Sequence, residues 1–364
     1  MRRISIKPLE YNKIMPRVAI ENLKLIEPDD LVCLIGKDLE AIRCALVESP
    51  YGEAVSRMSK DEIDSGALEE VLLQSYVETC EKLVKFSSGN IKNLLLAVLK
   101  KFEESNVKTM LRAVNAKMTV DEAMKHIIPV GKMDRDKCRT ILLGSKSIED
   151  VTNALINLDY GLIIKSVLTE RKRIEDLWQL EVALDRATYK GILESVEKLK
   201  GVDKKIAKDV LGIEVDAINV KIILKFKALM ASRELINDYL MPTALIDDEA
   251  LEKTMKATNV KSAIECLLRA VGNTSKAYQN IFTQILKESD APLSRLESIL
   301  DNASLKMSLY MLKEYTRYYN IGFVLAFLNL KLVEVKNLRC IINGSERKIP
   351  HSQVRKLLTF PDEL

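Results

Sequence analysis

The chain has 364 residues, a length that allows two or three domains of about 100–200 residues each. Hydrophobic residues make up 47% of it, enough for buried cores, and the net charge is only +4, with basic and acidic residues interspersed. This charge pattern argues against a nucleic-acid-binding protein, which usually carries a clustered basic face. With 13 glycines, 9 prolines and 5% aromatic residues, turn and strand formers are scarce, so the composition predicts an all-α fold.

No targeting or membrane-spanning segment is predicted. The N-terminus is charged and lacks the apolar region of a signal peptide. The longest apolar stretch, Ile321 to Leu330, has ten residues, whereas a membrane span needs roughly 18. The six cysteines are scattered without a Cys-x-x-Cys pair. We therefore expect reduced cysteines in a cytoplasmic protein that is soluble or at most peripheral to a membrane.

The first part of the chain is predicted to form an N-terminal extension of residues 1–27 and a helical unit of residues 28–143. The extension should carry a helix that is interrupted or started near Pro16. The Ile91 to Ala113 segment is predicted as one long helix or a kinked pair, with Ser88 or Asn90 positioned to cap it. The other predicted helices of this unit are Asp38 to Leu46, Ala67 to Phe86 and Val120 to Ile128.

A second helical unit is predicted for residues 144–257. Its helices are Ser147 to Leu155, Gly161 to Leu168, Ile174 to Leu199, Asp216 to Met230 and Ser232 to Leu240. Ser147 is a plausible N-cap of the first of these. The segment from Gly201 to Gly212 is predicted to be an extra loop or a short helix.

A third helical unit is predicted for residues 258–364. Its helices are Val260 to Ala270, Pro292 to Tyr315, Ile321 to Ile342 and Pro350 to Leu358. Asn343-Gly344 would end the third of these, because both residues tolerate the left-handed conformation of a helix C-cap.

A short motif occurs in each of these units. It consists of Asn, an aliphatic residue, a base, any residue and two aliphatic residues, and it begins at Asn106, at Asn219 and, in a weaker copy, at Asn337. The spacing places the aliphatic side chains on one helical face and leaves the Asn and the base beside it. The three aliphatic sets are Val107, Met110 and Leu111; Val220, Ile223 and Leu224; Leu338, Ile341 and Ile342.

Other markers recur in the same order around the motif. Pro129 and Pro242 each follow the motif Asn by 23 residues, and Tyr51-Gly52 and Tyr160-Gly161 are 109 residues apart. A Leu-Glu-x-x-Leu segment precedes each motif, with its glutamate at Glu69, Glu181 and Glu297. Ordered markers at a nearly constant spacing predict that one helical unit is present three times in the chain.

The sequence contains little that points to chemistry. It has two histidines, His126 and His351, for which we expect a structural, solvent-facing role, and it lacks the phosphate-loop, dinucleotide, nucleophile-elbow and zinc-protease motifs. No clustering of metal-ligand residues at suitable spacings is present, so neither a metal nor a cofactor is predicted. We expect the recurring glutamates to interact favourably with the helix dipole, because they lie near the start of long helices. Trp178 is expected in a core.

The recurring bases Lys108, Lys221 and Arg339 are the candidate functional residues. Charged residues beside an apolar stripe usually extend their side chains to water. Under threefold repetition they could instead surround a central opening and contact another protein. Both interpretations are open from the sequence.

Several phrases of the sequence resemble one known family, the C subunits of the archaeal and bacterial A/V-type rotary ATPases, which are related to the eukaryotic d subunits. They are Glu48-Ser49-Pro50-Tyr51-Gly52, the starts of predicted helices at Asn90-Ile91-Lys92 and Asn106-Val107-Lys108, Ile128-Pro129-Val130-Gly131, and the run from Lys331 to Gly344 with its Asn337-Leu338-Arg339. The resemblance covers nearly the whole chain. It departs from the family at Pro242-Thr243-Ala244, where the family has a glycine after the proline.

This resemblance implies a noncatalytic rotor part on the cytoplasmic face of a membrane. Family members form a funnel of three similar helical domains about a pseudo-threefold axis. The wide mouth receives the central shaft, made of the D and F subunits, and the other face sits on the ring of membrane proteolipids. The protein would then pass torque between ATP synthesis or hydrolysis and H⁺ or Na⁺ transport. We expect Lys108, Lys221 and Arg339 to lie near the N-terminal ends of the motif helices and to line the socket.

Two alternatives remain from the sequence. One is a generic all-α repeat scaffold that binds another protein, which a pull-down from native membranes would distinguish. The other is a helical enzyme with an unrecognised site, which the scarcity of histidine and the lack of an acid–base cluster argue against.

Overall fold

The computed structural model describes residues 11–58, 64–170, 177–288, 291–315 and 319–361. In these ranges the chain is helical, with one isolated β-bridge between Val130 and Met133 and no strand, so the all-α prediction is confirmed. The predictions for the first ten residues and for a helix start at Ile174 lie outside the described residues. The chain forms two compact units, one of residues 1–188 and 330–364 and one of residues 189–329.

The first unit contains helices from both ends of the chain. They are α1 (Met15–Asn22), α2 (Pro28–Val32), α3 (Leu39–Val47), α4 (Gly52–Ser56), α5 (Ser65–Phe86), α6 (Gly89–Asn115), α7 (Val120–Met124), α8 (Arg135–Gly144), α9 (Ile148–Ala154), α10 (Asp159–Glu170) and the start of α11 (Trp178–Glu197). The end of α19 (Ile321–Glu346) and α20 (His351–Leu357) complete this unit.

The second unit begins within α11 and ends within α19. Between them lie α12 (Gly201–Ala228), α13 (Arg233–Tyr239), α14 (Asp248–Lys256), α15 (Val260–Ala270), a 3₁₀ turn (Val271–Asn273), α16 (Lys276–Lys287), α17 (Leu293–Asp301) and α18 (Ala303–Glu314).

The three motifs lie well inside the long helices α6, α12 and α19. Their aliphatic face is buried as predicted, since Val107, Val220 and Leu338 are each 0% exposed and the other six aliphatic side chains are buried with them. Burying each such side chain stabilises the fold by about 1.5–3 kcal/mol. The prediction that Asn106 starts a helix is wrong, because α6 begins at Gly89 and continues through the motif without a break.

The segment from Gly201 to Gly212 is not an extra loop, because it forms the first part of α12. Gly201 begins the helix in a left-handed conformation with φ of +57°. Gly212 lies within the helix because its missing side chain leaves room for Leu245, whose Cγ would be 3.2 Å from an added Cβ. These glycines therefore serve a helix start and a packing contact.

Three other predicted helix ends are also wrong. α19 passes through Asn343-Gly344 to Glu346, because the Asn343 amide bonds within the fold and an added Cβ on Gly344 would meet Val354 Cγ2 at 2.6 Å. α7 ends at Met124, since the backbone of Ile128 is held by a side chain of α6. The predicted Pro292 to Tyr315 helix is divided into α17 and α18 at Asn302, a residue type that competes with the helical backbone for hydrogen bonds.

The three long helices end in the same way. Eleven residues after the motif Asn, Lys117, Met230 and Lys348 adopt positive φ of 54°, 54° and 52°. The next N–H in each case bonds to the carbonyl five residues earlier, at distances of 2.8–2.9 Å. This is the Schellman pattern that satisfies the last carbonyls of a helix.

Polar residues precede several helices, and the N-cap predicted at Ser147 is confirmed, whereas the capping bond predicted for Ser88 or Asn90 is not formed by Ser88. Ser147 caps α9 in a capping box with Asp150, whose carboxylate accepts the Ser147 N–H at 2.9 Å. Asp38 caps α3 by accepting the Ala41 N–H at 2.8 Å. Ser88 occupies the N-cap position of α6 without a side-chain bond.

We expect Gly52→Ala and Gly161→Ala to lower the free energy of unfolding by about 2–3 kcal/mol each, through overpacking. An added Cβ would lie 2.0 Å from the carbonyl oxygen of Val47 and 2.4 Å from the carbonyl carbon of Leu155, respectively, and backbone cannot rotate away. Urea denaturation measures the loss. Gly191→Ala in α11 is the matched control, because nothing lies within 4 Å of its added Cβ. It should be neutral or stabilising, and equal stability of all three variants would contradict the overpacking explanation.

Candidate functional site

The Asn of each motif is buried and bonds to the backbone 22 residues later. Asn106 donates to the Ile128 carbonyl at 2.6 Å and accepts the Ile128 N–H at 3.0 Å. Asn219 makes the same pair of bonds with Met241 at 3.2 and 2.7 Å, and Asn337 with Thr359 at 2.8 and 2.9 Å. Each amide satisfies one backbone donor and one acceptor, so it fixes the chain that follows the helix.

An acid three residues before each Asn accepts a tyrosine hydroxyl. Tyr160 donates to Glu103 at 2.9 Å, Tyr51 donates to Glu334 at 2.6 Å, and Tyr278 donates to Asp216. Burial, followed by the adjacent carboxylate, raises the pKa of each of these phenols, so they stay protonated as donors. The tyrosines of the predicted Tyr-Gly markers are therefore part of the site, a role that the sequence analysis missed.

The same three acids accept backbone N–H groups from the segments just before short helices. Glu103 accepts the Lys132 N–H at 3.0 Å, before α8. Asp216 accepts the N–H groups that precede α14, those of Leu245 at 2.9 Å and Ile246 at 3.1 Å. Glu334 accepts the N–H of Ile26, before α2.

The three acids differ in charge compensation. Glu334 is 5% exposed and lies 2.8 Å from the ammonium of Lys331, which is also 5% exposed and stands 4.0 Å from the centre of the Tyr51 ring. Asp216 is 0% exposed, and burial raises its pKa to about 6 although Tyr278 and backbone amides bond to it. We call each set of a motif Asn, its acid and its tyrosine a joint. The joint of Glu334 therefore contains an ion pair, whereas burial raises the pKa of the acid in the joint of Asp216 to about 6.

The predicted bases are all engaged in ion pairs within the chain. Lys108 contacts Asp185 at 2.5 Å, Lys221 contacts Asp301, and Arg339 contacts Glu69 at 2.6 Å. Their side chains are 16%, 29% and 39% exposed. The structure thus places each base between two helices and in the C-terminal half of its own long helix, so the prediction that these bases lie near the N-terminal ends is wrong.

The recurring glutamates are the partners on the opposite helices. Arg112 binds Glu181 at 2.6 Å, and Lys225 lies 3.6 Å from Glu297. Glu69 accepts from Arg339 and also from the Asn343 amide. The sequence contained a signal for these pairs. In two of the motifs the cations are four residues apart, and the acids that they face on the next helix are also four residues apart.

The remaining candidates do not join this site. His126 and His351 are exposed, as expected, and the His351 imidazole lies against Gly36. Trp178 is half-buried at the start of α11. Cys80 and Cys138 are buried free thiols, and burial raises their pKa to about 12 and about 11. The described residues contain no group of three or more His, Cys, Asp or Glu side chains that could hold a metal ion.

Among the helices of the described part of the chain, none combines the length and the apolar character needed to cross a bilayer.

Comparison with known proteins decides the family. The model of the family described as ATP synthase (C/AC39) subunit matches residues 14–357, nearly the whole chain. The chain belongs to this family. The family resemblance inferred from the sequence is thereby confirmed, and the joints described above are features of a member of the ATP synthase (C/AC39) family.

Curated relatives support this membership at low identity over long alignments. The chain is similar to the C subunit of the A-type ATP synthase of Methanocaldococcus jannaschii, with 26% identity over 98% of this chain and 87% of the relative. The protein of the same name from Methanosphaera stadtmanae is 24% identical over 89% of this chain and 84% of the relative. That from Archaeoglobus fulgidus is 23% identical over 95% of both chains.

Reversing the charge of one residue of an ion pair should show how much that pair contributes to the stability of the protein. We expect Arg339→Glu to lower the free energy of unfolding by about 1–2 kcal/mol, because two carboxylates would then face each other in a half-buried contact. The double variant Arg339→Glu/Glu69→Arg should recover most of the loss in a double-mutant cycle measured by urea denaturation. Arg57→Glu is the control, because the pair of Arg57 with Glu53 is 71% and 84% exposed; its effect should stay below about 0.5 kcal/mol. Absence of recovery would refute the pairing.

Proposed function

We propose that this chain is the noncatalytic central-stalk component of an A/V-type ATP synthase or ATPase. It acts as a socket that couples the rotating shaft, made of the D and F subunits, to the membrane proteolipid ring during ion-coupled ATP synthesis or hydrolysis. The observation that carries the proposal is the family match across residues 14–357. The relatives named as C subunits of A-type ATP synthases, aligned over 77–98% of this chain, point to the same complex.

The proposal includes three helical repeats, of residues 28–143, 144–257 and 258–364, after an extension of residues 1–27. Supporting it, the same contacts recur at constant positions relative to each motif Asn. An acid lies three residues before it, its backbone partner lies 22 residues after it, and a left-handed residue ends the helix eleven residues after it. Independent elements would not share these contact positions by chance.

We further infer that the repeats close into a funnel about a pseudo-threefold axis. The order of the contacts supports this. Each motif helix bonds to the next repeat: the first to the second through Lys108 and Asp185, and the second to the third through Lys221 and Asp301. The third repeat bonds to the first, since Arg339 binds Glu69. A cyclic order of partners is what a closed trio of repeats requires.

A torque-transmitting socket needs stiffness more than chemistry. Buried side chains that bond to backbone at both a donor and an acceptor resist hinge motion, because each opening leaves two polar groups unpaired. Long helices with close-packed apolar faces add to this stiffness. Docking of the shaft against Lys108, Lys221 and Arg339 stays a prediction; the ion pairs give these residues a role in holding the repeats together.

The test is reconstitution of the complex from its separate proteins. We expect the chain to bind a D–F shaft and a proteolipid ring, and ATP-driven H⁺ or Na⁺ pumping to require it, while the isolated chain hydrolyses no ATP. A complex that pumps at the full rate without the chain would refute the proposal. Recovery of the chain from native membranes with some other protein and without proteolipid or shaft proteins would favour the generic scaffold instead.

A further inference from the structure

One motif helix carries a second carboxylate against its base. In α6, the ammonium of Lys108 lies 2.5 Å from Glu104 Oε1 and 2.5 Å from Asp185 Oδ1 of α11. Glu104 is 4% exposed, so it is closed off from water, whereas the Asp185 side chain is 30% exposed. We call these three residues, Glu104, Lys108 and Asp185, the Glu104 cluster.

The other two motifs show that this second acid is additional. Two residues before the motif Asn, where α6 has Glu104, α12 has Ala217 and α19 has Val335, and both are buried apolar side chains. The fold therefore does not need a carboxylate at this position. In α12, Lys221 forms its ion pair with Asp301 of α17, and no second acid of the described ranges is seen on it.

In the Glu104 cluster, two carboxylates contact one ammonium, that of Lys108. On its own helix, Glu104 has Lys108 and Arg112 nearby, but Arg112 is bound by Glu181 of α11 in a two-bond contact of 2.6 and 2.8 Å. Tyr160 of α10 also lies near Glu104, but its hydroxyl donates its hydrogen bond to Glu103. Two acids thus contact one lysine, and one of them, Glu104, is closed off from water, an arrangement that disfavours ionisation of both.

We propose that the buried Glu104 carboxyl takes up a proton in its contact with Lys108 and Asp185, so that the contact between α6 and α11 binds a proton as the pH falls and releases it to solvent as the pH rises. The result is a contact that is tighter at lower pH. The inference rests on contacts within the chain and is independent of the proposed function.

The electrostatics agree with this geometry. Burial raises the pKa of Glu104 from 4.5 to about 7, the charge of Asp185 acts in the same direction, and Lys108 opposes both effects. Burial opposes the charge of Lys108, but the two acids hold the pKa of its ammonium above the ordinary value. Because the folded-state pKa of Glu104 lies above its unfolded value, its stabilisation is complete below pH 4.5 and is lost as the pH rises through about 7.

Hydrogen exchange of α11 tests the proposal in the full-length chain. Protection factors, which remove the intrinsic effect of pH on exchange, should fall about tenfold from pH 6 to pH 8 for the amides around Asp185, the change expected for one proton with a pKa near 7. Glu104→Gln should abolish this dependence. Asp301→Asn, which removes the acid of the equivalent Lys221 pair, should leave it unchanged in α11.

Infrared difference spectroscopy of the same proteins assigns the proton. We expect a protonated-carboxyl band that disappears with a midpoint near pH 7 in the wild type and is missing in Glu104→Gln; Asp216 titrates lower, near pH 6. Where Glu104→Gln does not fold, Asp185→Asn serves instead, and it should move the midpoint to lower pH. A Glu104→Gln variant with wild-type pH dependence, or an Asp185→Asn midpoint equal to that of the wild type, would overturn the proposal.

Discussion

Replacement of Asn219 by alanine is expected to lower the free energy of unfolding by about 3–5 kcal/mol. Asn219 is 0% exposed, and its amide pairs with both the N–H and the carbonyl of Met241. Each buried backbone group left without a partner costs about 1–3 kcal/mol, and the cavity left by the side chain adds to this. Urea denaturation followed by circular dichroism measures the loss.

The chain supplies controls for this prediction. Asn106→Ala and Asn337→Ala remove the same pair of bonds and should also cost several kcal/mol, with the smallest loss at Asn337, which is the most exposed of the three at 4%. Asn219→Asp keeps the acceptor but not the donor, so it should not restore stability. Asn153 is exposed in α9, and Asn153→Ala should be within about 0.5 kcal/mol of the wild type. A loss at Asn219 as small as that at Asn153 would contradict the assigned role.

Replacement of Lys331 by methionine should cost about 3–5 kcal/mol, as expected when one partner of a buried ion pair is removed. Without the ammonium, the carboxylate of Glu334, a residue that is only 5% exposed, has lost its buried positive partner. The double variant Lys331→Met/Glu334→Gln should recover part of this loss, because the side chain at 334 is then neutral. Recovery is incomplete because Tyr51 and the Ile26 N–H donate to different oxygens of Glu334, and a glutamine keeps only one of these acceptors. Thermal and urea denaturation of the four proteins complete the cycle.

The first motif helix offers a matched surface control for that cycle. Lys100 precedes Glu103 by three residues, as Lys331 precedes Glu334, but its pair with Asp159 is 3.3 Å long and its side chain is 49% exposed. Lys100→Met should therefore change the stability by less than about 0.5 kcal/mol. The ion-pair explanation fails if Lys331→Met is equally mild, or if Glu334→Gln does not relieve its effect.

Hydrophobic spacing was a reliable guide to the helical faces, whereas glycine was a poor guide to helix ends. The aliphatic residues of the motifs are buried as the spacing predicts, because a face of a helix is a local property of the sequence. Gly212 and Gly344 instead lie within helices, since a neighbouring side chain, Leu245 or Val354, occupies the space of the missing Cβ. A sequence shows the glycine but not the neighbour that requires it.

The candidate site was predicted only in part, because here too the sequence does not show which residues become neighbours in the fold. The bases and glutamates were identified by their recurrence, but their pairing across helices depends on which residues tertiary packing brings together. The Asn side chains bond to backbone 22 residues away, and backbone partners leave no signature of residue type. The acids Glu103, Asp216 and Glu334 could have been found from their constant distance of three residues before each Asn.

The bonds of Tyr51 with Glu334 and of Arg339 with Glu69 join residues 283 and 270 positions apart. Contacts of such long sequence separation form late, because chain entropy must be lost before they are gained. During synthesis from the N-terminus, Tyr51 and Glu69 leave the ribosome long before α19 exists. The contacts of the N-terminal helices with α19 can therefore form only after almost the entire polypeptide has been made. In a chain interrupted before α19, Tyr51 and Glu69 would lack these partners, and the surface around them would be accessible to chaperones.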